Sequence, residues 1–228
     1  MTTITTTRLT RAAGICAAVA GAIFIAVQIQ HPPMDVASVT TTDWLVRSIA
    51  KVVMATLALV GITGMYMRQV RQTRLLGLAG YVVFCVGYVA ILSTEVIAAF
   101  VLPGLAHSRP GYVNNVVVAA FGGTPTHSIG GMQTLFLISG LAYLVGGLLF
   151  GIALFRARVV ARWAAALLAV GTLATVALKV LPQSFNRPMA VPTGVALIGL
   201  GVSLWRDQRK AAAKAAPTTI RVEQLVAR

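Results

Sequence analysis

Residues 75–102 read LLGLAGYVVFCVGYVAILSTEVIAAFVL and contain a single charged side chain, that of Glu95. An α-helix rises about 1.5 Å per residue, so about 20 apolar residues cross a hydrocarbon core of roughly 30 Å. The segment is long enough to do this. It therefore predicts a transmembrane helix, and the rest of the chain contains further long apolar stretches.

The composition also predicts a membrane protein. Of the 228 residues, 57% are hydrophobic and only 11% are charged, which is too few charges for a water-facing shell. The net charge of +14 comes from Lys and Arg in short runs between apolar stretches. This pattern is typical of cytoplasmic loops. We therefore expect these loops to contact anionic lipid headgroups, and we expect no nucleic-acid partner.

The hydropathy pattern predicts an all-α fold, a polytopic transmembrane bundle of six helices within residues 1–210. The first span follows Arg8 and Arg11 and could be a signal peptide, but it lacks a small-x-small cleavage site and further spans follow it. The six spans cover about 12–30, 44–67, 75–102, 132–155, 161–181 and 189–205.

The distribution of basic residues predicts the orientation. With six spans, all the basic clusters fall on one side, and the positive-inside rule makes that side cytoplasmic. Both termini are then cytoplasmic, including a tail over residues 211–228. The clusters are Arg8 and Arg11; Arg68, Arg71 and Arg74; Arg156, Arg158 and Arg162; and Arg206, Arg209, Lys210 and Lys214. The opposite side holds Arg109, Arg187, Asp35 and Asp43.

Two charged residues are predicted to lie inside the bundle at matching depth. Glu95 is seven residues before Leu102, which is roughly 10 Å below the outer end of its helix. Lys51 is eight residues past Asp43 on the preceding helix, which is roughly 12 Å below the same surface. A charge at that depth needs a partner or a water-filled cavity. We therefore expect a Glu95–Lys51 ion pair, with Arg47 as the alternative partner of Glu95.

Further polar side chains are predicted at the same outer level, whereas the inner halves of the helices are nearly all apolar. This asymmetry predicts an outward-facing polar pocket around Glu95 and Lys51 and no continuous pore. Two interpretations stay open for the acidic residue: it binds a ligand or cation, or it only holds two helices together. Besides Glu95, Lys51 and Arg47, the candidate pocket residues are Gln30, His31, Thr94 and Gln133.

The sequence predicts no metal site, no cofactor and no catalytic residue. His31, His107 and His127 match no compact metal motif, and none of them lies within a predicted span, where a haem would need its axial ligands. Ser139–Gly140 resembles part of an intramembrane protease motif, but no histidine follows it to act as a base. Cys16 and Cys85 fall within apolar segments and predict neither a disulfide nor a metal ligand.

Two local patterns bear on packing. Gly147 and Gly151 form a GxxxG motif, which predicts close helix packing within the chain, with self-association as the alternative. The apolar run VVVAAF at 116–121 is too short to cross the membrane and predicts a re-entrant or interfacial segment in the outer loop.

The segments HPPMDVASVTTTDW, STEVIAAFVLP and QSFNRPMAVPTGVALIGLG resemble those of multi-pass membrane proteins of high-GC actinobacteria. The resemblance covers most of the chain and implies a bacterial plasma-membrane location, but it implies no activity. We expect a non-enzymatic membrane component that binds a ligand, a lipid or a partner protein. The alternatives are a small ion-coupled transporter that uses Glu95 and, third, an enzyme acting on a lipid-soluble substrate.

Overall fold

A computed structural model describes residues 5–177 and 188–215, with side chains described through 174 and again from 188 to 209. The predicted all-α class is confirmed, since the described residues form helices and no strand. Lys179, Arg187, the end of the predicted fifth span and residues 216–228 of the predicted tail lie outside this part. The helices are α1 (Thr6–Ala26), α2 (Val36–Val39), α3 (Thr42–Phe100), α4 (Leu102–Ser108), α5 (Pro110–Ala120), α6 (Gly131–Ala157), α7 (Arg162–Ala177) and α8 (Ala190–Ala215).

Three of the helices in the described part, α1, α3 and α6, are long and apolar enough to cross a membrane. The helix α7 is also apolar but shorter over its described side chains. Hydrophobic side chains such as Leu75, Leu137 and Val170 are exposed on the outside of the protein. This outer surface is suited to lipid, in agreement with a membrane location.

The long helix α3 is two helices joined at a turn. Its backbone leaves helical geometry at Gln69 and at Arg74, where φ is +51°. We call residues 42–68 the first segment and residues 75–100 the second segment. The segments are antiparallel, because the Trp44 indole donates to the Ala98 carbonyl at 2.9 Å and the rings of Tyr66 and Tyr81 stack with centroids 4.5 Å apart.

Glycines allow the helices to approach closely. α1 packs on α8, with Gly14 against Gly201 and Gly21 against Gly194. α1 also packs on the first segment of α3, where Gly61 faces Ala17. In lipid, burial of apolar side chains gives helices little reason to associate. Close packing at small residues therefore contributes much of the stability of a helix pair.

The GxxxG motif of α6 packs within the chain. Gly147 faces the side chain of Thr172, and Gly151 faces the backbone of Ala165 and Ala169, all on α7. The predicted packing of this motif within the chain is therefore confirmed. Self-association has to use another surface.

The two ends of the helices differ in chemistry. At one end, the Arg11 guanidinium lies 5.4 Å from the Trp205 ring centroid, and Arg68 pairs with Asp207 at 2.8 Å. Ser203 at this end accepts a hydrogen bond from the Ala161 amide at 2.8 Å. These contacts place the N-terminal part of α1, the turn of α3, the α6–α7 junction and the C-terminal half of α8 together. We call this the basic end.

The opposite end is covered by a small cap made of α2, α4 and α5. The cap has its own apolar core, which contains Val39, Trp44, Leu102, Val113, Val116, Val117 and Ile129. The run 116–121 therefore belongs largely to α5, and its buried valines pack against the ends of α3 and α6 that lie opposite the basic end. Its location relative to the membrane surface stays a prediction.

Polar side chains fix the loops of the cap. The Asn115 carboxamide oxygen accepts from the Thr126 amide at 2.7 Å, and its nitrogen donates to the Gly111 carbonyl at 2.9 Å. Asp35 caps α2 by accepting from the Ser38 amide at 2.7 Å. That hydrogen bond favours the carboxylate and lowers the pKa of Asp35. The cap is thus held by a specific network in addition to its apolar core.

Candidate functional site

Lys51 lies in the seam that the first segment of α3 presents to the interior. Positions 44, 48, 51, 55, 58, 62 and 65 follow one another at alternating intervals of four and three, which keeps them on one face of a helix. Every member of this series except Lys51 is buried. The local sequence therefore directs the ammonium group toward the protein interior and away from lipid.

Glu95 meets Lys51 from the second segment. It lies seven residues after Tyr88, which is about two helical turns along the same face. The Lys51 Nζ is 3.4 Å from the Glu95 Oε1, and the side chains are only 21% and 19% exposed. The predicted contact between the two residues is therefore confirmed.

The pair does not use its full hydrogen-bonding capacity. An ammonium group has three donors, and a carboxylate has two acceptor oxygens. Among the described residues, the Lys51 ammonium contacts only Glu95, and the Glu95 carboxylate contacts only Lys51. Two N–H donors and one carboxylate oxygen thus remain for water or a ligand in a setting where unmade hydrogen bonds are costly.

Arg47, the alternative partner of Glu95, is engaged elsewhere. Its Nε lies 2.9 Å from both oxygens of Asp43, and its two terminal nitrogens donate to the carbonyls of Val27, Ile29 and Gln30 at 2.8–3.1 Å. α1 ends at Ala26, so no following helical turn supplies backbone N–H donors to these carbonyls. The guanidinium supplies the missing donors and ties α1 to the start of α3.

The side chains of the other four candidate residues have no described contact with Lys51 or Glu95. Gln30 is exposed and has a φ of +48°, and Gln133 is exposed in the first turn of α6. His31 is buried and packs edge-on against the Trp44 ring at 6.5 Å, which makes it part of the boundary with the cap. The Thr94 hydroxyl donates to the Ile91 carbonyl in its own helix at 2.8 Å. Among the seven candidates, the described side-chain contacts join Lys51 to Glu95, and a wider pocket stays a prediction.

Two tyrosines and a threonine that the sequence reasoning missed lie below the pair. The Tyr88 and Tyr143 rings are 5.9 Å apart, and Tyr143 forms a side-chain hydrogen bond with Thr193. A hydropathy analysis does not distinguish tyrosines inside a span from the apolar residues around them. The available signal was the spacing of seven residues that places Tyr88 on the same helix face as Glu95.

An apolar layer separates this polar zone from the basic end. Phe84 and Phe150 are fully buried with ring centroids 6.2 Å apart, and Ile62, Met65 and Leu154 are fully buried beside them in one cluster. Above the pair, Trp44 and the cap core cover the other end. The pair thus lies between the capped end of the helices and an apolar middle layer.

The described residues contain no group of three or more His, Cys, Asp or Glu side chains that could hold a metal ion. Comparison of the chain with protein-family models, curated proteins and solved structures finds no match. Lys51 and Glu95 are therefore the residues whose chemistry bears on the function.

Proposed function

We propose that the chain is a multi-pass protein of the bacterial plasma membrane, with six spans and both termini in the cytoplasm. The six spans are α1, the two segments of α3, α6, α7 and α8. The contacts of Arg11 and Arg68 with α8, and of Ser203 on α8 with the α6–α7 junction, support this topology because they gather the basic clusters at one end. The positive-inside rule then assigns that end to the cytoplasm, where anionic lipid headgroups are its expected partners.

This topology predicts which sites a membrane-impermeant maleimide labels in intact cells. In a Cys16→Ala, Cys85→Ala background, we expect Thr124→Cys, in the loop after the cap helix α5, to be labelled in whole cells. Gln72→Cys, at the turn of α3, is expected to be labelled only after permeabilisation. Both positions are exposed, so burial does not explain a difference. Labelling of Gln72→Cys in intact cells, or of neither site, contradicts the proposed orientation.

We further propose that the protein is a non-enzymatic ligand-binding component and that Lys51 and Glu95 are its binding groups. The observation that carries this proposal is the unused hydrogen-bonding capacity of an ion pair enclosed within the helices. A ligand that carries both an anionic and a cationic group complements the free N–H donors and the free carboxylate oxygen. The proposed ligand class is therefore a small zwitterion or a zwitterionic headgroup.

Ion-coupled transport and catalysis have less support. A carrier needs a polar route to the other side, whereas the layer of Phe84, Phe150 and Met65 is fully buried and apolar. An acid–base enzyme commonly uses a histidine or a second carboxylate beside the first, and the described site offers one carboxylate and an ammonium group. These alternatives therefore rank below binding.

A thermal-shift measurement on detergent-purified protein tests the binding proposal. The probes are glycine, β-alanine, phosphoethanolamine and short-chain phosphatidylethanolamine, and the blank is the Lys51→Met/Glu95→Gln double variant. A ligand at about 100 times its dissociation constant stabilises the folded state by about 2.7 kcal/mol, which raises the unfolding temperature by several degrees. We expect at least one probe to do so for the wild type and not for the double variant.

Two results would contradict the proposal. In the first, no probe shifts the unfolding temperature of the wild type. In the second, the same probe shifts the wild type and the double variant equally, which would place its binding elsewhere. Phosphoglycerol, which has the phosphate but no ammonium group, is the matched control and is expected to leave both proteins unchanged.

A further inference from the structure

A second candidate site lies far from Lys51 and Glu95, at the basic end. α7 and α8 form a groove of about 680 Å³ between them. One wall is the face of α8 that carries Val195, Ile198 and Val202, and the other includes Trp163, which is 59% exposed. The groove therefore lies on the outside of the protein, where lipid is the surrounding solvent.

The length of the groove matches one leaflet of a bilayer. From Val195 to Arg206 the helix α8 rises roughly 16 Å. Half of the hydrocarbon core is about 15 Å thick. The apolar part is thus long enough for most of one acyl chain that runs parallel to α8.

The mouth of the groove is polar and carries the positively charged side chain of Arg206. Ser203, Arg206 and Asp207 line it. Asp207 is already neutralised by Arg68 at 2.8 Å, and the neighbouring Arg209 lies over the Trp205 ring at 4.9 Å. Arg206 is exposed, and no described residue forms an ion pair or hydrogen bond with it. Its planar guanidinium suits bidentate contact with a phosphate group.

We propose that this groove binds one anionic phospholipid, with an acyl chain along Val195, Ile198 and Val202 and the phosphate on Arg206. The groove is apolar along α8 and cationic at its mouth, which complements an apolar acyl chain followed by an anionic phosphate group. Assignment of the lipid to the cytoplasmic leaflet rests on the proposed topology, whereas the binding itself does not. The site is also independent of the Lys51–Glu95 pair.

Native mass spectrometry of the detergent-solubilised protein, titrated with dioleoyl phosphatidylglycerol and separately with dioleoyl phosphatidylcholine, tests this site. We expect the first phosphatidylglycerol to bind more tightly than phosphatidylcholine. Arg206→Gln is expected to weaken its binding about 10-fold, which is the effect of losing one strong charge-assisted contact. Arg71→Gln removes the same charge from the same end at an exposed position outside the groove, and it is expected to change the affinity less than 2-fold.

A variant that fills the apolar part separates the groove from general attraction to charge. Val202→Trp is expected to weaken both lipids about 10-fold, provided that circular dichroism shows the wild-type helix content. If that variant does not fold, Val195→Phe replaces it. Equal losses for Arg206→Gln and Arg71→Gln would overturn the proposal in favour of diffuse electrostatic attraction. Unchanged lipid affinity in a folded groove-filling variant would also overturn it.

Discussion

Glu95→Gln on its own is expected to lower the free energy of unfolding by about 2–3 kcal/mol. It leaves the Lys51 ammonium without its partner in a seam whose other members are buried. Breaking a buried ion pair typically costs about 3–5 kcal/mol, and the partial exposure of this pair reduces that figure. Lys51→Met is expected to cost a similar amount, because it leaves the carboxylate unpaired. The measurement is reversible unfolding of the detergent-purified protein, followed by circular dichroism.

The double variant Lys51→Met/Glu95→Gln decides how the single losses are to be interpreted. We expect its stability to lie within about 1 kcal/mol of the wild type, because removing both charges leaves neither group uncompensated. The recovery would show that the pair holds the two segments of α3 together, and it would remove the main support for an ion-coupled carrier. Arg71→Gln is a control for charge loss alone. Unchanged or increased stability in Glu95→Gln would contradict the prediction and indicate a charge that is retained at a cost in stability.

The ion pair could be predicted because it depends on two quantities that a sequence contains. Hydropathy fixes the segment on which each charge lies, and the rise per residue fixes its depth. Lys51 and Glu95 lie at similar depths in neighbouring segments, so few other partners were within reach. The same reasoning predicted an all-α chain with long apolar helices, and the helices α1, α3 and α6 confirm this.

The hydrogen-bond partners of Arg47 could not be predicted in this way. Its guanidinium is occupied by Asp43 and by carbonyls that follow α1, and this depends on α1 ending at Ala26. Hydropathy does not locate helix ends to within one turn, because the residues near the membrane surface tolerate both helix and loop. The contacts of Gln30, His31, Thr94 and Gln133 could not be predicted for a related reason. Similar depth does not determine which way a side chain points.

The cap also lay beyond sequence reasoning. Its helices are short, and the side chains of its core are as apolar as side chains that would face lipid. A run such as Val116–Val118 therefore has the same hydropathy in either setting. Only the tertiary contacts of Val113, Val116 and Val117 distinguish a cap core from an interfacial segment.

Gly146→Ala is expected to lower the free energy of unfolding by about 3 kcal/mol or to prevent folding. A Cβ atom at this position would overlap the backbone nitrogen and Cα of Phe84 on the second segment of α3. A backbone cannot rotate away as a flexible side chain can, so the helices must separate. That separation disturbs the contact of Phe84 with Phe150, and both rings belong to the apolar layer below the ion pair.

Gly140→Ala is the matched control for this variant, since it makes the same chemical change on the same helix. A Cβ atom at Gly140 would have no heavy atom within 4 Å outside its local helix. We expect its stability to be unchanged or raised by about 0.5–1 kcal/mol, because alanine favours helix more than glycine does. Unfolding in a detergent titration, followed by circular dichroism, measures both variants. Equal effects at the two positions would show that α6 does not contact α3 through Gly146, and they would remove the basis for the apolar layer that argues against transport.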